Sequence, residues 1–505
     1  MEWNEKQNEK QNEKQNEKQG AMQNKLQDMA PYMGKAIHRI ASDLQTNMEY
    51  MDQVLGLTHN FDIIHRTMAI GDRKACMYLI NGLGKDELLQ KLLQFFISLP
   101  PEQMPQDAEG FIEHCIPHVE ANPETDVQKV LTALLSGMFV LLVEGYEKAI
   151  IMDARSYPAR SVEEPEKDKA LRGSKDGFVE TVAFNTALIR RRIRSEKLRM
   201  EIQKVGECSQ TDVVLCYMAD RVDKTLLQDI RQKIAGIQTE SLTMNQESLA
   251  ECIYKRKWFN PFPKFKYTER PDTAAAQILE GNMVILVDNS PSAMILPITI
   301  FDILDEADDY YFPPITGTYL RLARFVIALL TYIVTPTYLL LMQRMELVPG
   351  GFEFIELKEA PNIPLIWQFL ILELAIDGLK LAAVNTPSML STPLSVMAAL
   401  VLGEFSVKSG WFSSEVMLYM AFVAIANYTQ ANYELGYALK FMRVIALIAT
   451  AVFVVYGYAG AIGFAMLALL CNRTVAGRSY LYPLIPFDWK KLKSRLFRKR
   501  HFPAS

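Results

Sequence analysis

Residues 364–384 read Pro364-Leu-Ile-Trp-Gln-Phe-Leu-Ile-Leu-Glu373-Leu-Ala-Ile-Asp377-Gly-Leu-Lys380-Leu-Ala-Ala-Val384, an apolar run long enough to cross a bilayer that nonetheless carries three charges. Glu373, Asp377 and Lys380 stand at i, i+4 and i+7, so one helical face holds all three. An ionisable group at the bilayer centre costs roughly 2.5 to 3.5 kcal/mol on insertion scales, so that face should turn toward protein or water and away from lipid. Two readings follow. Either the face lines an ion pathway, or Asp377 and Lys380 at i, i+3 neutralise each other where helices pack.

The surroundings of this run divide the chain. Half of the 505 residues are hydrophobic, and the apolar material is concentrated after Leu322, so a soluble half precedes a membrane half. No apolar segment stands near the start, where residues 1–35 are polar, which places the soluble half in the cytosol. Cys76, Cys115, Cys208, Cys216, Cys252 and Cys471 are scattered without a CxxC pair, as expected in a reducing compartment and against a disulfide frame or zinc ribbon. A net charge of −4 gives no reason to expect nucleic acid as a partner.

The expected architecture is multi-domain: an N-terminal α/β cytosolic region of two subdomains, then an all-α polytopic membrane domain of about 5 to 6 segments. Residues 1–34 form a low-complexity tail in which NEKQ is written four times and nothing can be buried. Residues 35–156 form the first subdomain: strands at 61–65 and 75–80, a helix at 87–98, and strands at 138–143 and 148–152 closed by Gly145. Residues 157–170 read as a linker. Residues 171–318 form the second, with a helix burying Phe178, Val182, Asn185 and Ile189 while Arg190, Arg191 and Arg194 point elsewhere. A strand at 211–218, a helix at 223–234 and a strand pair around Asn289-Ser-Pro-Ser292 complete it.

Residues 319–472 form the membrane domain. The first span is 323–342, entered past Arg321 and Arg324, with Pro336 expected to kink it. The charged run returns inward. A short segment, 393–403, sets Ser395, Ala399 and Gly403 at close-packing intervals and ends at Glu404, which is either a pathway residue or the partner of Lys408. Residues 416–428 form the next span, after which Lys440 and Arg443 mark an inside loop. Residues 444–471 are uncharged for about 42 Å of helix, more than one hydrocarbon core needs, and Gly457-Tyr-Ala-Gly460 can break them into a hairpin. Parity favours that hairpin, because the tail 473–505, with Lys490, Lys491, Lys493, Arg495, Arg498, Lys499 and Arg500, is basic and belongs inside. Trp489, Leu492 and Leu496 share a face of that tail, so it can be a plain anchor or a helix lying on lipid headgroups.

Catalytic signatures are missing from the sequence. Gly82-Leu-Gly84-Lys85 lacks the spacing of a phosphate loop, and His114 and His118 are separated by Pro117, which interrupts the helix that would align them on a metal. No elbow serine or dinucleotide loop is present, so neither enzyme activity nor a metal or other cofactor is expected.

The string Arg172-Gly173-Ser-Lys-Asp-Gly177-Phe178-Val-Glu180-Thr-Val-Ala-Phe-Asn185-Thr-Ala-Leu-Ile-Arg190-Arg191-Arg192-Ile193 resembles the signature of the GerA family of spore germination proteins. Glu269-Arg-Pro-Asp272, Ile278-Leu-Glu-Gly281, Asp288-Asn-Ser-Pro291, residues 318–325 and Tyr433-Glu-Leu-Gly436 are similar to further blocks of that family in the same order. The resemblance implies a multi-pass protein of the spore inner membrane with its N-terminal domain in the cytosol. It also implies contact with membrane lipid and with other spore germination membrane proteins, and a homo-oligomer, a pentamer, conducting ions during germination. On that reading Glu373, Asp377, Lys380 and Glu404 are the pathway candidates.

Overall fold

Ten strands build two sheets with the same order. The computed structural model describes residues 38–116, 120–157, 174–255, 260–306, 308–385, 403–430 and 432–497. The NEKQ tail, nearly all of the 157–170 linker, Arg172, Gly173, His118, Ser395, Ala399 and Arg498 to Arg500 lie outside them. In the first unit β1 (Ile63–Ile70), β2 (Arg73–Ile80), β3 (Ala121–Glu124), β4 (Phe139–Val143) and β5 (Ala149–Met152) are ordered β1-β2-β4-β5-β3. In the second, β6 (Leu198–Val205), β7 (Thr211–Met218), β8 (Lys266–Thr268), β9 (Met283–Val287) and β10 (Ala293–Leu296) run β6-β7-β9-β10-β8, which is the same arrangement, and every pairing is antiparallel. The sequence carries no visible repeat to announce this, because only the pattern of burial and turns is shared. Gly145 (φ +86°) lies between β4 and β5, and Asn289 (φ +61°) turns the chain between β9 and β10 at the corresponding place.

Alternation sorts the strand residues by face. Met77, Leu141 and Ile150 of the first sheet join Phe96 of the Asp86–Ser98 helix and Phe111 of the Ala108–Cys115 helix in one core. A fully buried phenylalanine contributes about 1.5–3 kcal/mol, so these two helices hold that face closed. In the second unit Val214 and Cys216 belong to one cluster and their neighbours Val213 and Leu215 to another, so β7 is covered on both sides. One face is closed by the Lys224–Ala235 and Asn245–Ile253 helices. The other is closed by the Val182–Arg192 and Pro271–Glu280 helices and then by Ala328, Leu435, Ala438 and Met442 from long apolar helices, so this core continues into the helical part.

The helical part opens with Pro314–Gln343, which begins four residues before Thr318 and runs unbroken through Pro336. Its entry arginines are built into a buried network. Arg321 Nη2 meets Asp305 at 2.6 Å, and Arg324 Nη1 meets Asp309 and its Nη2 Glu306, each at 2.7 Å. Pro314–Gln343 and Tyr433–Leu470 are long and apolar enough to cross a membrane by length and composition, while Ser414–Tyr428 is a shorter apolar helix and Leu365–Asn385 bears the three charges.

Tyr433–Leu470 is two helices meeting at Val454, whose φ of 49° and ψ of −121° leave the helical region. The contacts with the first long helix show a reversal: Arg443 reaches Thr331 O and Gln343 reaches Ala451 O on the way out, then Tyr458 meets Thr337 and Tyr332 bonds Ala461 O on the way back. The chain therefore folds back three residues before Gly457-Tyr-Ala-Gly460. The reason is packing: a Cβ on Gly457 would fall 1.9 Å from Ala449 O, so that glycine lets the returning arm close on the outgoing one.

Candidate functional site

Leu365–Asn385 forms because its apolar residues surround the helix on all sides and Pro364 stands before its first turn. Its charges therefore project among apolar helices, where each needs a partner. Glu373 is 4% exposed and finds Arg443, 2% exposed, through Nε at 2.7 Å and Nη2 at 2.6 Å. Arg443 spends Nη1 on Thr331 O at 3.0 Å, tying in the first long helix. Lys440 donates to the backbone carbonyl of Glu373 at 3.1 Å, sits 3.6 Å from its carboxylate, and pairs with Asp377. Two carboxylates thus meet two cations across two helices, and the cluster is neutral.

Lys380 takes a different route. Its ammonium lies 4.9 Å from the Tyr428 ring centre and 5.7 Å from that of Tyr437, a cation–π seat. The Asn427 amide, oriented so that its nitrogen donates to Gly436 O, accepts from Lys380 at 2.9 Å. The i, i+3 pairing of Asp377 with Lys380 is replaced by Asp377 with Lys440, because a cation from a facing helix reaches the carboxylate directly.

Lys440 and Arg443 were expected to mark a loop. Both are instead buried inside Tyr433–Leu470, 6% and 2% exposed, because paired cations on a helix mimic the basic signature of a loop in a charge count. A signal did exist: Glu373 and Asp377 at i, i+4 and Lys440 and Arg443 at i, i+3 are matched opposite pairs in apolar sequence. Glu404 stays apart from this cluster and pairs with Lys408 on the surface.

The signature residues gather around the Val182–Arg192 helix. Asn185, 1% exposed, accepts from Val179 N at 2.8 Å and donates to Val179 O at 2.6 Å, clamping the loop that enters the helix. Asp288 accepts from Val182 N at 3.0 Å, and Phe178 N donates to Glu269 O at 2.8 Å. Glu180 O accepts from Asn289 N at 2.8 Å, and Gly177 is buried beside Phe178. Arg192 meets Asp176 at 3.0 Å. Arg190 was expected to point away from the core but is fully buried, its Nη2 3.5 Å from Asn60 Oδ1. Arg191 is only partly exposed. Blocks distant in sequence are thus brought together to fix one helix on the second sheet.

Known proteins match along nearly the whole chain. The family described as Bacillus/Clostridium GerA spore germination protein matches residues 49–503. Stage V sporulation protein AF of Bacillus subtilis (strain 168) is 36% identical over 462 residues, 91% of this chain and 93% of that protein. Spore germination protein KA of the same organism is 26% identical over 445 residues, 86% of this chain and 81% of that protein. The N-terminal domain of the A subunit of the Bacillus megaterium spore germinant receptor GerK3 is 25% identical, with a TM-score of 0.41, covering 52% of this chain and 98% of that domain.

Proposed function

Because the chain belongs to the GerA family of spore germination proteins, we propose that it is a subunit of an oligomeric membrane channel that releases monovalent cations during germination, acting without catalysis. In this reading the two sheet units face the cytosol, the helices span the spore inner membrane, and copies of the chain form a symmetric ring, a pentamer, that encloses the path. The observation that carries this reading is the Glu373, Asp377, Lys440 and Arg443 cluster, four charges retained among apolar helices. Its charge pairing is complete within one chain, with Asp377 Oδ1 alone of its carboxylate oxygens buried and without a hydrogen bond, so the cluster serves as an electrostatic latch holding the charged helix against Tyr433–Leu470, and parting that latch changes what the helices expose to the path.

The test is cation efflux from liposomes carrying the full chain, with Asp377→Asn as the latch variant and the oligomeric state measured in the same lipid. Altered efflux from a normal-sized oligomer supports the reading, and a monomer in lipid ends it. The same complete pairing favours a second reading, a non-conducting scaffold in germination membrane complexes, in which the cluster only packs helices. Silent liposomes together with stable co-purification of other germination membrane proteins would select it.

A further inference from the structure

A cavity of about 460 Å³ opens beside the entry of the first long helix; the cations Arg321, Arg478, Lys491 and Arg495 line it together with Thr474, Tyr482 and the carboxylates of Glu280 and Asp302, both of which lie against Arg495. Three of its four cations already have carboxylates: Arg321 has Asp305 at 2.6 Å, Arg495 has Asp302 at 2.9 Å, and Arg478 has Asp223 at 2.8 Å. Lys491 is placed differently. Its ammonium lies 5.2 Å from the Tyr482 ring centre, and among the described residues it makes no ion pair. Thr474 supplies a second, independent sign. The residue is 5% exposed and Oγ1 has no hydrogen-bond partner, while its backbone N–H donates to Arg478 O at 2.8 Å and fixes the turn that carries it. A buried hydroxyl left unpaired in a cavity that also holds an ammonium without an ion pair is the arrangement an oxyanion completes.

The surroundings select the kind of oxyanion. Thr474 follows the end of Tyr433–Leu470 by four residues, and Arg321 lies just before the apolar run that starts at Ala323, so the cavity sits where the long helices leave their apolar zone. Next to it Leu484, Ile485, Phe487 and Trp489 are all more than 40% exposed, with Phe487 and Trp489 stacked at 6.2 Å. Exposed apolar and aromatic side chains beside lysines are what a membrane interface accepts.

We propose that this cavity binds the phosphate of an anionic phospholipid headgroup, with Lys491 and Thr474 as its ligands, while residues 484–489 rest in the acyl boundary. This rests on the membrane reading above but not on conduction. Headgroup binding would fasten the Trp489–Leu496 helix, whose Arg495 carbonyl accepts from Arg321 Nη1 at 2.8 Å, against the base of the first long helix.

The test is native mass spectrometry of the delipidated full chain titrated with phosphatidylglycerol, phosphatidylcholine or inorganic phosphate, so its readout is lipid occupancy and is independent of ion flux. Phosphatidylglycerol should be retained over phosphatidylcholine, and Lys491→Gln and Thr474→Val should each weaken it by about tenfold, as loss of a charged or buried hydrogen bond predicts. Thr474→Ser should restore binding, and Lys490→Gln and Lys493→Gln, on the same helix but outside the cavity, should leave it near wild type. Equal losses in those two controls would mean diffuse attraction to charge and overturn the proposal, as would a lack of headgroup preference. Inorganic phosphate displacing the lipid at comparable concentration would make this a free-phosphate site and also overturn it.

Discussion

Arg443 places two nitrogens, Nε and Nη2, on a single oxygen of Glu373, at 2.7 and 2.6 Å, and leaves the other oxygen to Lys440 at 3.6 Å. Seventy residues of sequence separate the pair, and neither side chain is more than 5% exposed. Removing one partner strands the other charge, so Glu373→Ala should destabilise the folded chain by about 3–5 kcal/mol. The double variant Glu373→Leu with Arg443→Leu should recover most of that loss, because no uncompensated charge remains. Thermal unfolding in detergent measures both; a double variant as unstable as the single one would show that the cost is packing rather than charge.

The reversal at Val454 makes a topological prediction. Tyr456, 87% exposed beside the turn, and Cys471, at the end of the returning arm, should be reached from opposite faces of a membrane. In sealed vesicles a Tyr456→Cys thiol should react with an impermeant maleimide from one side, and native Cys471 only from the other. Labelling of both from one side would contradict a membrane-crossing hairpin.

Gly457 and Gly460 separate space from conformation. Gly457→Ala places a methyl 1.9 Å from Ala449 O, against backbone that cannot move aside, whereas a Cβ at Gly460 meets nothing within 4 Å. Gly457→Ala should therefore cost several kcal/mol, of the order of an overpacked core, and Gly460→Ala should be neutral or slightly stabilising by about 1 kcal/mol from helix propensity. Comparing the yield of monodisperse protein and the melting temperature of the two variants decides it.

Much of this architecture was readable from the chain because its signals are local. Thr211–Met218 is a strand apolar from Val213 onward, and Lys224–Ala235 is a helix with Asp223 accepting from Thr225 N and Leu226 N at its cap. The reversal in the last apolar stretch was legible in its length, which exceeds what one helix needs to cross a hydrocarbon core. What stayed hidden depends on contacts between distant residues. Nothing near Lys440 says whether it faces water or Asp377, and Arg190 looks like its exposed neighbours until Asn60, 130 residues away, is packed beside it. The shared strand order of the two sheets is hidden for the same reason, since register leaves no mark that composition can report.

A pH prediction comes from the first sheet unit. Arg155 donates to Asp153 through Nε at 2.7 Å, and this hydrogen bond holds the Asp153 carboxyl below its ordinary value of 3.8. Arg155 also reaches the Tyr157 hydroxyl at 3.4 Å, which donates to Ser136 O at 2.9 Å, so the pair pins the end of this unit. A carboxyl whose folded pKa lies below its unfolded one is stabilising above the unfolded value, and that contribution disappears as pH falls from 3.8 through the folded value. Asp153 is partly exposed, so the pair contributes about 1 kcal/mol after solvent screening. Asp153→Asn should lower stability by that amount at pH 7 and by progressively less as the pH falls from 3.8 through the lowered folded value, below which the wild-type carboxyl is neutral in both states. Chemical denaturation of the full chain at pH 7 and at pH 3 measures the difference; a cost that does not shrink at the lower pH would show that the amide disturbs the loop by shape instead of by charge.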